Sequence, residues 1–276
     1  MKKIAILGPK NTYSDVAAKV YQNHQKTSYE IIYKKQVSDV IQAISDDTIG
    51  IIPIENTLEG YVQQHLDYML ENPNIWISSE LRLQVSFACI SHRPIKDVKT
   101  VYVQYAAKNQ CLRFMATLDE QDVVITDSNT QSYERYLLDS NSAVIIPNHI
   151  YTPGMAPIEI ENVTDELQNE TRFFVIGNQN TIHKAHENYK MAMVFTPTID
   201  RPGLLLSIIE AFANAQINLI SIMSRPTKKA IGTYHFFIEL ECKRTQIEHI
   251  ETILEGLSKH MNIRLLGVFI DQSIEI

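Results

Sequence analysis

Residues 3–54 read KIAILGPKNTYSDVAAKVYQNHQKTSYEIIYKKQVSDVIQAISDDTIGIIPI. Apolar runs at 3–7, 30–33 and 50–54 alternate here with two segments of helical period, 12–24 and 37–44. In the first of these Val16, Ala17, Val20 and Tyr21 share a face and Ser14 stands at the N-cap position. A strand–helix–strand–helix–strand order predicts a mostly parallel sheet with helices on both sides. The alternation returns as strands 100–103, 123–126 and 143–146 with helices 107–118 and 130–138, and 171–176 is a further buried strand.

The polar stretch 178–188 reads as a linker. Beyond it the pattern changes to strand 191–195, helix 203–213, strands 217–223 and 234–240 about a turn-like 228–232, helix 248–257 and strand 263–270. That is the β-α-β-β-α-β ferredoxin-like split unit.

The chain of 276 residues is 45% apolar and 21% charged, with 25 basic against 32 acidic side chains and a net charge of −7. It has no basic block, which argues against a nucleic-acid partner. Cys89, Cys111 and Cys242 lie far apart with neither metal-ligand nor redox spacing, so no metal site is expected and a reducing compartment is. The first apolar run stops at Gly8-Pro9, too short for a signal peptide, and 204–223 is interrupted by Glu210, Asn214, Gln216 and Asn218. The expectation is a cytoplasmic protein without a membrane partner.

Polar residues that carry chemistry gather at three strand ends. GPKNTYS (8–14) joins a strand to a helix start, where free N–H groups favour an anion and Thr12 and Ser14 add hydroxyls; spacing alone favours the plainer reading, an ordinary βα turn with a serine cap. PIENTLEGYV (53–62) sets Glu55, Asn56, Thr57 and Glu59 at the end of a buried strand, where open α/β sheets bind ligands; a capped turn with solvated acids reads equally from these residues. NETRFFVIG (169–177) opens an apolar strand with Thr171 and Arg172, whose side chains alternate to opposite faces. An arginine there needs an anionic partner, either a ligand or Glu170.

Together with NVTDELQNETRFFVIG (162–177), GLLLSII (203–209), INLISIMSRP (217–226) and YHFFIELE (234–241), these motifs resemble, in order and over nearly the whole chain, the prephenate dehydratase family. The resemblance implies an α/β fold: a two-lobed, periplasmic-binding-protein-like catalytic domain at 1–180, followed by a ferredoxin-like βαββαβ ACT regulatory domain at 189–272. Lobe one would take 1–79 and 163–180, lobe two 80–162, and the linker 181–188. It also implies decarboxylating dehydration of prephenate to phenylpyruvate in phenylalanine biosynthesis, without a cofactor. Catalysis would fall to Thr171, Glu55, Asn56 and Gln110, and substrate binding to Thr12, Ser14, Arg172, Phe173, Ser128 and Asn129. Phenylalanine would act as allosteric effector on a homodimer or homotetramer, bound by Gly203, Leu204, Asn218, Leu219, Ser224 and Arg225. Met223 stands where the family carries glutamate, and 103–106 lacks the family's SHPQ. Two alternatives stay open at this point: an aromatic-amino-acid sensor with impaired catalysis, and a related arogenate dehydratase or prephenate decarboxylase.

Overall fold

The computed structural model describes residues 1–25, 27–118, 121–180, 186–199 and 201–272. Lobe one opens with β1 (Lys3–Leu7), α1 (Tyr13–His24), β2 (Glu30–Lys34), α2 (Val37–Gln42), β3 (Thr48–Asn56), β4 (Gly60–Tyr61), α3 (Gln63–Glu71) and β5 (Trp76–Gln84). Lobe two follows with β6 (Phe87–Ser91), β7 (Thr100–Gln104), α4 (Tyr105–Asn109), α5 (Leu112–Met115), β8 (Asp122–Thr126), α6 (Asn129–Leu138), β9 (Ser142–Pro147) and β10 (Ile158–Ile160). The chain returns to lobe one as β11 (Glu170–Gly177). The C-terminal domain holds β12 (Asn188–Pro197), α7 (Leu204–Asn214), β13 (Asn218–Pro226), β14 (Tyr234–Lys243), α8 (Ile247–Ser258) and β15 (Met261–Asp271).

In lobe one β1 runs parallel to both β2 and β3, and β11 lies antiparallel between β3 and β5. Lobe two is a separate sheet in the order β10-β6-β9-β7-β8. The expected lobe boundary after residue 79 falls inside β5, which pairs with β11 along Trp76 to Gln84. The chain crosses at Val85–Ser86 instead. There the Tyr13 hydroxyl donates to the Ser86 carbonyl at 2.8 Å and accepts from its amide at 3.1 Å.

The single helix expected at 107–118 is two short ones. The Asp165 carboxylate accepts from the amides of Leu112 and Arg113 at 2.7 and 2.9 Å, capping a new helix start and breaking the first at Gln110. The linker expected at 181–188 lies largely outside the described residues.

In the C-terminal sheet β12 sits between β14 and β15, all antiparallel, and among the described residues β13 pairs with β14 alone. One face packs under α7 and α8 through Met191, Phe195, Ile208, Phe212, Leu240 and Ile250. The other face presents Ala192, Val194, Phe237 and Phe269 to Ile52, Ile54, Phe174 and Ile176 of lobe one, so the two domains share one core. Further, β15 joins β5 in parallel through Ile270–Ser79 and Asp271–Glu80, and the two sheets become continuous.

The close approach beside this joint depends on Gly267: a Cβ there would stand 2.3 Å from the Ile77 carbonyl oxygen. Gly267→Ala is expected to destabilise by about 1–3 kcal/mol, the usual range for overpacking. Gly256, in α8 with open space around its Cα, gives the opposite sign: Gly256→Ala should stabilise by about 0.5–1 kcal/mol. Thermal unfolding of the two variants reads both signs.

Candidate active site

The pairing of β11 with β3 brings Thr171 opposite Asn56 and Arg172 opposite Glu55. Side chains alternate along a strand, so the two rungs face opposite ways. The first rung meets lobe two. Asn56 Oδ1 accepts from the amides of Leu58 at 2.9 Å and Glu59 at 3.3 Å, which fixes the orientation of its amide. Its Nδ2 therefore faces β11, 3.1 Å from Thr171 Oγ1 and 2.9 Å from Asn169 Oδ1. The threonine oxygen acts here as acceptor, and its own proton is left to be given elsewhere. Asn169 in turn donates Nδ2 to Gln110 Oε1 at 2.7 Å, leaving the Gln110 Nε2 end as donor. Asn56, Asn169 and Gln110 are buried, whereas Thr171 is partly open.

The structure thus joins Thr171, Asn56 and Gln110, and adds Asn169 as the link between lobes. Asn169 was legible as the residue two before Thr171 on the same strand face, but it carries no group that titrates or attacks.

The other expected binding residues stand at helix starts that follow strands. Gln110 follows β7 by way of α4, and Ser128 and Asn129 follow β8 at the start of α6. Ser128 Oγ caps α6 by accepting from the Gln131 amide at 3.1 Å, while Asn129 Oδ1 is buried without a hydrogen-bond partner. On lobe one, Thr12 caps α1 and its hydroxyl donates to the Pro9 carbonyl at 3.1 Å. The adjacent Ser14 is buried at the first turn. This loop already touches lobe two, with His149 Nε2 3.1 Å from the Asn11 carbonyl and its ring against Tyr13. Burial lowers the His149 pKa.

Three of the expected site residues are elsewhere. Glu55 lies on the rear face of the sheet, its Oε2 3.2 Å from Arg172 Nε. Burial, followed by the nearby Glu239 carboxylate, raises its pKa against the pull of Arg172. Arg172 is buried and its guanidinium is enclosed by protein: Nη2 lies 2.7 Å from Glu239 and 2.9 Å from the Tyr61 hydroxyl, and Nη1 lies 3.4 Å from Glu80. It also stacks over the rings of Tyr61 and Phe174. Burial opposes this charge, yet Glu239, Tyr61 and Glu80 together hold the Arg172 pKa above its usual value. Its charge is met inside the molecule by three carboxylates. Phe173 packs in the lobe-one core against the α1 side, with Ile4, Ile6 and Leu81, and is 1% exposed. Neither Glu80, Glu239 nor Tyr61 was foreseen, because each is remote in sequence from Arg172.

In the C-terminal domain Gly203 precedes α7 with φ +84°, the left-handed region that glycine favours. Asn218 and Ser224 are exposed on β13, while Leu204 is buried under α7 and Leu219 partly buried against the same core. Arg225 is committed to the catalytic domain: it forms a forked pair with Asp67 at 2.7 and 2.8 Å and reaches Gln63 at 2.6 Å. Among the described residues no cluster of His, Cys, Asp or Glu could hold a metal, and no helix is long and apolar enough to cross a membrane.

Residues 4–181 match the prephenate dehydratase family and residues 198–255 the ACT domain. The prephenate dehydratase of Methanocaldococcus jannaschii is 33% identical over 264 residues, covering 95% of each chain. The bifunctional chorismate mutase/prephenate dehydratase of Aquifex aeolicus is 29% identical, spanning 97% of this chain and 73% of its own length. Among solved structures, the prephenate dehydratase of Staphylococcus aureus superposes with a TM-score of 0.82 at 30% identity, covering 97% of this chain and 99% of that one. The enzyme of Arthrobacter aurescens in complex with L-Phe also gives 0.82, at 24% identity and covering 97% and 90%. With a family match over most of its length and a relative above 30% identity from end to end, this chain belongs to the prephenate dehydratase family.

Proposed function

We propose that the chain converts prephenate to phenylpyruvate on the Thr171–Asn56 rung, with Gln110 and Asn169 completing the site. The observation that carries this reading is the fixed amide of Asn56, which makes Thr171 Oγ1 an acceptor and frees its proton. In the reaction the electron pair of the ring-to-carboxylate bond moves into the ring as carbon dioxide leaves, and the bond to the ring hydroxyl breaks. The departing oxygen takes up a proton and leaves as water, and the aromatic ring that forms supplies the driving force. No cofactor is required by this electron count.

Threonine is a poor acid in water, so its hydroxyl acts as a hydrogen-bond donor to the oxygen as charge builds on it. Gln110 Nε2 offers a second neutral donor. With Arg172 enclosed, the substrate's carboxylates are met by helix N-termini, those of α1 behind Thr12 and Ser14 and of α6 behind Ser128 and Asn129. The family match supports the enzyme reading over a sensor that has lost its chemistry. All three cysteines are free and buried, in keeping with a cytoplasmic enzyme.

Thr171→Ser should keep much of the activity, and Thr171→Ala should lower kcat by about 10²-fold or more with a smaller change in KM, the pattern of an interaction made in the transition state. Phenylpyruvate formation from prephenate, read by its ultraviolet absorbance in alkali, measures both. A Thr171→Ala enzyme with near wild-type kcat refutes the assignment.

We further infer feedback by phenylalanine, since the Arthrobacter relative was solved with L-Phe bound. The carboxylate of the amino acid would sit on the α7 N-terminus at Gly203, and Asn218 on β13, whose outer edge is free among the described residues, would take its polar end. That free edge is also where a second copy of the chain would pair, in a dimer or a dimer of dimers. Phenylalanine at 100 times its Kd would stabilise the folded enzyme by about 2.7 kcal/mol. Millimolar phenylalanine should raise Tm and lower activity, and Gly203→Val should remove both responses. Normal activity with no binding by calorimetry would make the domain a pairing module only.

A further inference from the structure

We propose that Glu239, on β14 of the C-terminal domain, is a positioning residue for the dehydratase reaction, acting through Arg172 on the Thr171–Asn56 rung. The proposal rests on the reading of Thr171 given above.

The contact between the two domains has an apolar part, the shared core of Ala192, Val194 and Phe237 against Ile54 and Phe174. Buried beside it is a charged cluster that spans the same contact. Glu239 and Glu80 are wholly buried. Glu239 Oε2 accepts from Arg172 Nη2 at 2.7 Å and from the Tyr61 hydroxyl at 2.5 Å. Glu80 Oε1 accepts from Lys190 Nζ, on β12, at 2.5 Å. Each carboxylate keeps one buried oxygen without a hydrogen bond. Burying charges in this way seldom stabilises more than apolar groups of the same volume would, so the cluster is poorly explained as adhesion. What it does is define where one guanidinium sits.

That guanidinium belongs to the residue after Thr171. Arg172 and Glu55 form the rung next to Thr171 and Asn56, about 3.4 Å along the strand. Both members of the rear rung are tied to each other, and Arg172 is tied to Glu239 on the neighbouring domain. The register between β11 and β3 shifts just beyond Arg172, between it and Phe173. The two rungs at the strand end are thereby set off from the regular ladder, and the side chains behind them decide their placement. A C-terminal sheet that slid against lobe one would move Arg172 first and the Thr171 hydroxyl with it.

The test compares purified, folded full-length variants for kcat, KM and Tm. Glu239→Gln keeps the shape and removes the charge; kcat is expected to fall about tenfold with KM within about twofold of wild type. Tyr61→Phe, which removes one shared hydroxyl and no charge, is the milder variant and is expected to shift kcat in the same direction by a few-fold. Asp67→Asn cuts the Arg225 fork elsewhere on the same contact, and is expected to lower Tm with kcat unchanged. The double variant Glu239→Gln/Arg172→Gln should be no slower than Arg172→Gln alone, since both act through one side chain. Wild-type kcat in Glu239→Gln with a lowered Tm would overturn the proposal, and so would wild-type kcat in Tyr61→Phe should Glu239→Gln not fold. A Thr171→Ala enzyme of normal activity would instead refute the reading of Thr171, whatever Glu239 does.

Discussion

The antiparallel pairing of β11 with β3 is the constraint on which the rest of the structure depends. It sets Thr171 against Asn56 and Arg172 against Glu55 in successive rungs. Since side chains alternate, one pairing assigns the first rung to the side that meets lobe two and the second to the domain contact. A slip by one residue would exchange the faces, turning a guanidinium toward lobe two and a hydroxyl into the core. The hydrophobic sequence beyond the rungs resists such a slip: Phe173 and Val175 fill the α1 side, Phe174 and Ile176 the side toward α2, α3 and the C-terminal sheet.

The polarity of the site follows from the same pairing. Asn56 sits at the end of β3, where the chain turns, and the amides of Leu58 and Glu59 take its carbonyl oxygen. Only the donor end is then left for β11. A short chain of neutral amides, Asn56 to Asn169 to Gln110, crosses from one lobe to the other. Neutral donors suit a reaction in which charge builds on a leaving oxygen while a doubly charged substrate is held, because they impose no pH limit of their own. Charged groups are kept on the rear face, where Arg172 is neutralised by carboxylates from both domains.

Much of this was legible in the sequence. The period of the apolar residues marked most strands and helices of lobe one, and the β-α-β-β-α-β order of the last third. Strand β5 was not marked, because WISSELRLQ mixes polar residues into a buried strand, with Ser79 and Glu80 beside partners that lie far along the chain. The two short helices around Gln110 depend on Asp165, some fifty residues on, which no local pattern contains. Of the motif residues, Thr171 and Asn56 meet, and Gln110 reaches them through Asn169. Glu55 and Arg172 are turned away for a reason the strand period does contain, once β3 and β11 are known to pair. The charged partners of Arg172 come from β4, β5 and β14, and only the fold brings them together.

The central claim is that Asn56 acts by orienting the Thr171 hydroxyl. A double-variant cycle on kcat tests it most directly, with Asn56→Ala, Thr171→Ala and the pair together. If Asn56 works through Thr171, adding Asn56→Ala to the Thr171→Ala enzyme costs little, and the pair is about as slow as Thr171→Ala alone. If the two losses multiply instead, the side chains act independently and the oriented hydroxyl is not the basis of the site.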